Sequence, residues 1–405
     1  MDFLIVGNGM FGAAIARHLA PHATVTAIRP AAGADGSGPY GAHHDEGRII
    51  GDLSQDAVWS GLNRLARDGM TELDPTLITG CGALTGTRDG TGDLSVAAGT
   101  PGRPGADVQA LAAEAANARF PMVRFGADET IAYQPAAGFF SPRRYVDLAT
   151  QSAQASGATI TSGTVRALHR SATGTEAELD DGRRLRAAAV IVASGAFAAG
   201  SDLLPVPVAL RAKSEVYVMA ELDDQQAAEL HAMPCINTAI DHPQLADLYV
   251  LPPIRYPDGR TYLKFGANTM IDRWLPDPAA VRAWYDRGSD DGPLPALREV
   301  LAGLLPGVRV RAWHVRRCAD AYTAHRRPYI DIIEPGRLTI ALGGNGRGAQ
   351  AADAVGQLTA GLALTGRWQS DLPRDAFRHV PGHGPWNGMI LLRDQATGNQ
   401  RKTPL

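Results

Sequence analysis

Residues 3–20, FLIVGNGMFGAAIARHLA, change character within a few positions: a run of apolar residues suited to a buried strand gives way to a helical apolar period. Gly7, Gly9 and Gly12 stand at the junction, spaced G-x-G-x-x-G. A strand that turns into a helix through residues without side chains brings backbone N–H groups and the positive helix end up to a pyrophosphate. TVTAIRP, residues 24–30, follows as a second short strand and completes a βαβ opening. The stretch predicts a Rossmann-like dinucleotide site with Gly7, Gly9, Met10, Phe11 and Gly12 at the cofactor. Where an acid commonly holds the adenosine ribose, this chain has Arg29. That leaves two readings open: a 2′-phosphate, hence NADP, or a ribose held by another group such as Asp35 in the next loop.

Working outward, 405 residues are too many for one small core, so two domains or one large α/β unit with an insertion is expected. A net charge of −3 gives no basic excess for nucleic acid, and small metabolites are the expected partners. Cys81, Cys235 and Cys318 are odd in number, far apart and without a C-x-x-C pair. This argues against a disulfide framework and a cysteine-based zinc site, and no metal is expected. FLIVG opens without a basic region or cleavage site, and no apolar run reaches the roughly 18 residues of a membrane span, so a cytoplasmic protein without a membrane partner is expected. Lysine occurs only at 213, 264 and 402, which singles out any lysine in a central strand.

Further along, DAVWSGLNRLARDGMTEL (56–73) places Trp59, Leu62, Leu65, Ala66, Met70 and Leu73 on one helical stripe. Residues 87–107 read as loops around a short strand. Ser141 starts a helix, a strand runs into Val165, and AAVIVASGAF is an apolar strand. From 213 to 270 the alternation predicts an antiparallel sheet, residues 278–304 read as helical, and a last helix is expected from about Ala349 to Leu364. The end of the tail is expected to be loose.

Taken in order, these stretches resemble the sarcosine oxidase and D-amino-acid oxidase group of flavoenzymes, in particular its monomeric sarcosine oxidase (N-methyl amino acid oxidase) branch. The likeness rests on the glycine run, HHDEGRII (43–50), GFFSPRRYVDLA (138–149), GTVRAL, VIVASGAF, YLKFG (262–266), RRCADAYT and GGNGRGAQAADAVG. It implies an α/β fold with a discontinuous Rossmann-like FAD-binding domain (1–80, 141–210 and 315–380) and an antiparallel-sheet, α+β substrate domain (81–140 and 211–314). Residues 381–405 form a C-terminal tail. The implied chemistry is FAD-dependent oxidation of a C–N bond in a secondary or cyclic amine to an imine, with O2 reduced to H2O2, in a monomer or small homo-oligomer.

The same resemblance implies the site residues. His43, Arg29, Val165, Ala193, Gly195 and the run Gly344, Asn345, Gly346, Arg347, Gly348 are expected at FAD. Arg48 and His44 are expected beside the isoalloxazine, a fixed cation there favouring the reduced ring. Lys264 matches the lysine that activates O2 from the other face, and Cys318 the cysteine that attaches the flavin covalently. RRCADAYTAHRRPYID (316–331) surrounds that cysteine with Arg316, Arg317 and further cations, which should favour its thiolate. Asn268 and Asp320 stand where that branch has a histidine and a tyrosine, and Gly51 where it has a second arginine. These departures point away from sarcosine and towards another secondary or cyclic amine, amino-acid-like or a larger metabolite. A dehydrogenase with a different electron acceptor, or an NADP-dependent Rossmann enzyme, are the alternatives.

Overall fold

The computed structural model describes residues 2–30, 41–52, 54, 56–88, 108–171, 174–287, 292–382, 389–393 and 400–404. Asp35 and most of the 87–107 stretch lie outside them. The apolar opening forms a strand, Asp2–Val6, at the centre of a six-stranded sheet. Phe3 pairs with Ala189 on one side and Val25 on the other, both neighbours parallel. The full order is Tyr329–Glu334, Leu338–Leu342, Ala189–Val192, Asp2–Val6, Thr24–Arg29, Thr159–Ser162, antiparallel only at its first pair. Strands buried on both faces read as continuous apolar runs, which is why FLIV and AVIV look alike.

One face of this sheet carries the helices Met10–Leu19, Pro142–Ala155 and Gly348–Thr365. The first and last meet through small residues: a Cβ on Gly356 would lie 2.3 Å from the Cβ of Ala14. This close approach sets the two helix N-termini side by side at the same end of the sheet. Ala57–Leu73 also packs here, burying Trp59, Leu62, Ala66 and Met70 while Leu65 and Leu73 stay half-buried.

The second large element is a ten-stranded sheet, mostly antiparallel, built from 83–134, 210–275 and the strand Ala312–Thr323. Its longest pairing joins Leu210–Leu222 to Ala312–Thr323, with Glu215 opposite Cys318 and Lys213 opposite Asp320. A division at 314/315 would cut this strand, because its partner in the sheet holds it as one piece. The back of the sheet is covered by Pro278–Asp286 and Leu294–Leu304, whose Val281, Trp284, Leu297 and Leu301 are buried. A small sheet of Arg48–Ile50, Gly138–Phe140 and Ile78–Gly80 joins the two large ones. Met389–Arg393 and Gln400–Pro404 pair as a hairpin near the end of the tail.

Candidate active site

Between the two large sheets lies a cavity of about 1660 Å³, and its walls bring together residues from nearly every quoted motif. At one end the glycine run closes tightly. Gly7 has φ +105°, and a Cβ there would lie 2.6 Å from the Ala193 carbonyl oxygen. One on Gly12 would lie 1.8 Å from the Gly7 carbonyl oxygen, so neither position accepts a side chain without moving backbone. Gly9 caps Met10–Leu19 without a side-chain hydrogen bond, and Arg347 does the same for Gly348–Thr365. Two uncapped helix N-termini therefore line one cavity, a paired donor site for anionic groups. Asn8 Oδ1 and Ser194 Oγ, buried in the same lining, have no hydrogen-bond partner.

Met10, Phe11, Arg29, Val165, Ala193 and Gly195 line the same region. Asn345 takes the left-handed conformation (φ +52°) and fastens its loop by accepting from Thr323 N (2.9 Å) and donating to the Gly343 carbonyl (2.7 Å). Gly344, Gly346, Arg347 and Gly348 complete that wall. His43 sits against the first helix terminus, its Nδ1 being 3.3 Å from where a Gly9 Cβ would stand. Burial lowers its pKa to about 4, with His44, Arg143 and Arg48 adding to the effect, so it is neutral at pH 7. Burial and Arg143 lower His44 as well.

At the other end, strand alternation on the ten-stranded sheet turns Glu215, Tyr217, Lys264, Cys318, Asp320 and Tyr322 to the cavity. Lys264 is 1% exposed. Gly266, two residues on along its strand, has no side chain, which lets Tyr217 and Tyr249 close in from the two neighbouring strands. The Lys264 ammonium lies 4.6 Å and 5.8 Å from the centres of these rings. It donates to the Gly47 carbonyl (2.8 Å) and ion-pairs with Asp45 Oδ2.

Asp45 is the hub of this end, and the sequence reading passed over it. Its Oδ2 also pairs with Arg48, and its Oδ1 accepts from the Tyr256 hydroxyl (2.7 Å). Arg48 further donates to the carbonyls of Gly47 (2.9 Å) and Ala42 (2.6 Å). Although burial opposes it, Lys264 and Arg48 hold the Asp45 carboxyl far below the carboxylate range. Burial and repulsion from Arg48 lower Lys264 to about 8, against the attraction of Asp45. Arg48 and Lys264, expected to serve separate edges of the flavin, are thus bound to one carboxylate.

Cys318 overturns the argument made from its neighbours in sequence. Burial, and after it Asp320, pushes its thiol up to about 12. The cations that oppose this are Arg48 and Lys264, distant in sequence. Arg317 lies on the opposite face of the strand, 4.0 Å from the Trp284 ring, and Arg316 is exposed and bonded to the Val315 carbonyl. Asn268 is fixed by donating to Asp247 (2.6 Å) and accepting from Lys213 Nζ (2.6 Å). Lys213, fully buried, also pairs with Glu215 (2.5 Å) and Asp272 (2.8 Å), a network that sequence reasoning missed beyond noting the rarity of lysine. Asp320 Oδ1 accepts a long contact from Cys318 Sγ at 3.9 Å.

A glycine-lined cradle with two free helix ends, orphaned buried polar atoms and a cavity this large fit a dinucleotide, and the cationic cluster facing it across the cavity marks the class: a nucleotide-dependent oxidoreductase. The chain belongs to the DAO family of FAD dependent oxidoreductases, whose family model matches residues 2–362. This sets aside the NADP alternative raised by Arg29.

Among solved structures the chain is similar to NikD, an unusual amino acid oxidase essential for nikkomycin biosynthesis, with 18% identity and a TM-score of 0.76 over 94% of this chain and 98% of that one. It is also similar to fructosyl amine:oxygen oxidoreductase (Amadoriase I) from Aspergillus fumigatus, with 20% identity and a TM-score of 0.70 over 93% and 89%. Iminodiacetate oxidase (IdaA) from Chelativorans sp. BNC1 gives 21% identity and a TM-score of 0.69 over 93% and 98%. At these identities the likeness is one of fold. No curated protein matches the sequence.

Proposed function

We propose that the protein oxidises the C–N bond of a secondary or cyclic amine to an imine and reduces O2 to H2O2. The observation that carries this reading is Lys264, a buried ammonium on the cavity wall, caged by two tyrosines and anchored by Asp45. The similar structures, an unusual amino acid oxidase, a fructosyl amine:oxygen oxidoreductase and an iminodiacetate oxidase, agree with it. Bound FAD supplies the two-electron acceptor for the amine and the route of those electrons to O2. Gly7, Gly9, Gly12 and the Gly344–Gly348 loop would hold its pyrophosphate and Arg29 and Val165 its adenosine end, with His43, Ala193 and Gly195 along its length.

Lys264 stabilises the negative charge that develops on O2, in a site dry enough for one cation to matter. Asp45 keeps that lysine protonated near neutral pH. Asp320 receives the proton of the incoming ammonium, since C–N oxidation starts from the neutral amine. Its carboxyl is raised by burial, which suits a proton acceptor. Asn268 and His44 orient the substrate. Arg326 and Arg347, both on the cavity wall, face an anionic group of the substrate. Arg326 Nη1 is buried without a hydrogen-bond partner, an open donor for that group.

Cys318 is the proposed point of covalent attachment. Arg48 and Lys264 favour its thiolate, while burial and Asp320 hold the thiol up at about 12 against them, so attachment would need a base to take its proton. A division by the two large sheets would give the whole strand Ala312–Thr323 to the substrate domain. The test is anaerobic mixing of FAD-loaded protein with a panel of secondary and cyclic amines. Bleaching of the visible bands, then recovery in air with one H2O2 per amine, is expected. Bleaching that only an artificial acceptor reverses would show a dehydrogenase instead.

A further inference from the structure

Cys81 and Cys235, 154 positions apart in the chain, bring their sulfurs to 3.7 Å. Their spacing in the chain does not pair them, but the sheet does. Cys235 N donates to the Gly82 carbonyl (3.0 Å), and the strand it opens runs parallel to Ala83–Arg88 with Cys235 beside Ala83. Gly82, at φ +76°, turns the chain so that Cys81 faces back towards Cys235. Both thiols are free, Cys81 half-exposed and Cys235 fully buried. Within two positions of them in the chain, Ala83, Ile236 and Asn237 line the large cavity.

We propose that Cys81 and Cys235 form a peroxide-oxidisable dithiol, a modification site beside the cavity in which peroxide is made. The Cys81 thiolate attacks H2O2, the O–O bond breaks, and sulfenic acid and one water result. The Cys235 thiol then displaces the hydroxyl as a second water and closes the disulfide, so that two thiols and one H2O2 give one disulfide and two waters. The roles follow from the surroundings. The contact with Cys235 lowers the pKa of Cys81, and burial raises that of Cys235.

The location gives the bond a consequence. Cys235 Sγ also reaches the Gly138 carbonyl (3.5 Å), and Gly138 lies on the middle strand of the small sheet that carries Arg48. The two cysteines pack in one apolar cluster with Ile49, Tyr217, Tyr249 and Tyr256, the residues around Lys264 and Asp45. A disulfide there would fasten the small sheet to the ten-stranded sheet directly beneath the cation cluster.

The experiment uses FAD-loaded full-length protein treated with H2O2 and mapped by mass spectrometry without reduction. The expected product is a peptide joining Cys81 to Cys235, about 2 Da lighter than the sum of its parts and separated by dithiothreitol. It should be absent from Cys81→Ser, and the treated wild type should unfold at a higher temperature than the reduced protein. Cys81 carried to sulfinic or sulfonic acid while Cys235 stays alkylatable would overturn the proposal, as would two thiols that both remain alkylatable. Added peroxide makes the result independent of the amine reaction. A second arm, turnover with an amine and with or without catalase, reports on that reaction separately.

Discussion

Asp45→Asn removes the charge that Lys264 and Arg48 share while keeping the shape of the side chain. In the wild type Lys264 titrates near 8 against an ordinary 10.5, so between those values the unfolded chain binds a proton that the folded chain does not. Stability therefore rises with pH across that window, and below it the fold carries a cost of about 3 kcal/mol for the buried ammonium. Without Asp45 the main attraction opposing burial and Arg48 is lost, leaving Cys318 alone on the raising side, and the pKa of Lys264 falls further. The variant then loses about 1.4 kcal/mol relative to wild type for each pH unit below 8 over which its lysine stays neutral. The lost charged hydrogen bond to Arg48 adds roughly 1.5–3 kcal/mol at every pH above the carboxylate range. Urea unfolding at pH 7 and 9 should give a deficit of about 3–4 kcal/mol at the first and a smaller one at the second. Stopped-flow reoxidation by O2 should be slowed at pH 7 in the variant, and in the wild type should decline as pH passes through about 8. A deficit below about 1 kcal/mol that does not vary with pH, with unchanged reoxidation, would refute the assignment of Asp45 as the anchor.

Gly12→Ala should yield protein that fails to retain FAD, since its Cβ would collide with the Gly7 carbonyl; equilibrium dialysis with FAD measures this, and normal loading would contradict the cradle. Lys213→Met leaves the buried Asp272 and the half-buried Glu215 without their cation and should cost about 3–5 kcal/mol in urea unfolding, partly restored by adding Glu215→Gln. Cys318→Ala should bind FAD that acid precipitation releases, whereas the wild type should keep its colour in the pellet; complete release from fully loaded wild type would end the tether proposal.

The βαβ opening was legible because its information is local: strand, glycines and helix are contiguous, and the positive φ of Gly7 and the contact of a Gly12 Cβ with the Gly7 carbonyl act within a few residues of backbone. Lys264 stood out through the scarcity of lysine in an apolar strand. Asp45 did not, although it lies within a quoted motif, because its key partner is 219 positions away and an acid in a polar loop resembles any surface residue. The thiol at 318 was misjudged for a related reason. Adjacent residues of a strand point to opposite faces, so Arg317 is beside Cys318 in the chain and across the sheet from it in space. Cys81 and Cys235 show the converse, distant in sequence and joined by a parallel strand pairing that only the folded sheet reveals. Asp320 and Asn268 were placed by resemblance, and the structure adds what holds them.

The central claim is that Lys264 serves the reaction with O2. Rapid-mixing kinetics on Lys264→Met, with amine reduction measured anaerobically and reoxidation measured separately, tests it most directly. Methionine keeps the length of the side chain and its fit between Tyr217 and Tyr249 while removing the cation. The account predicts that reoxidation by O2 falls by about 100-fold or more, while the rate of reduction stays within about threefold of wild type. Reoxidation at the wild-type rate, or an equal loss in both half-reactions, would contradict it.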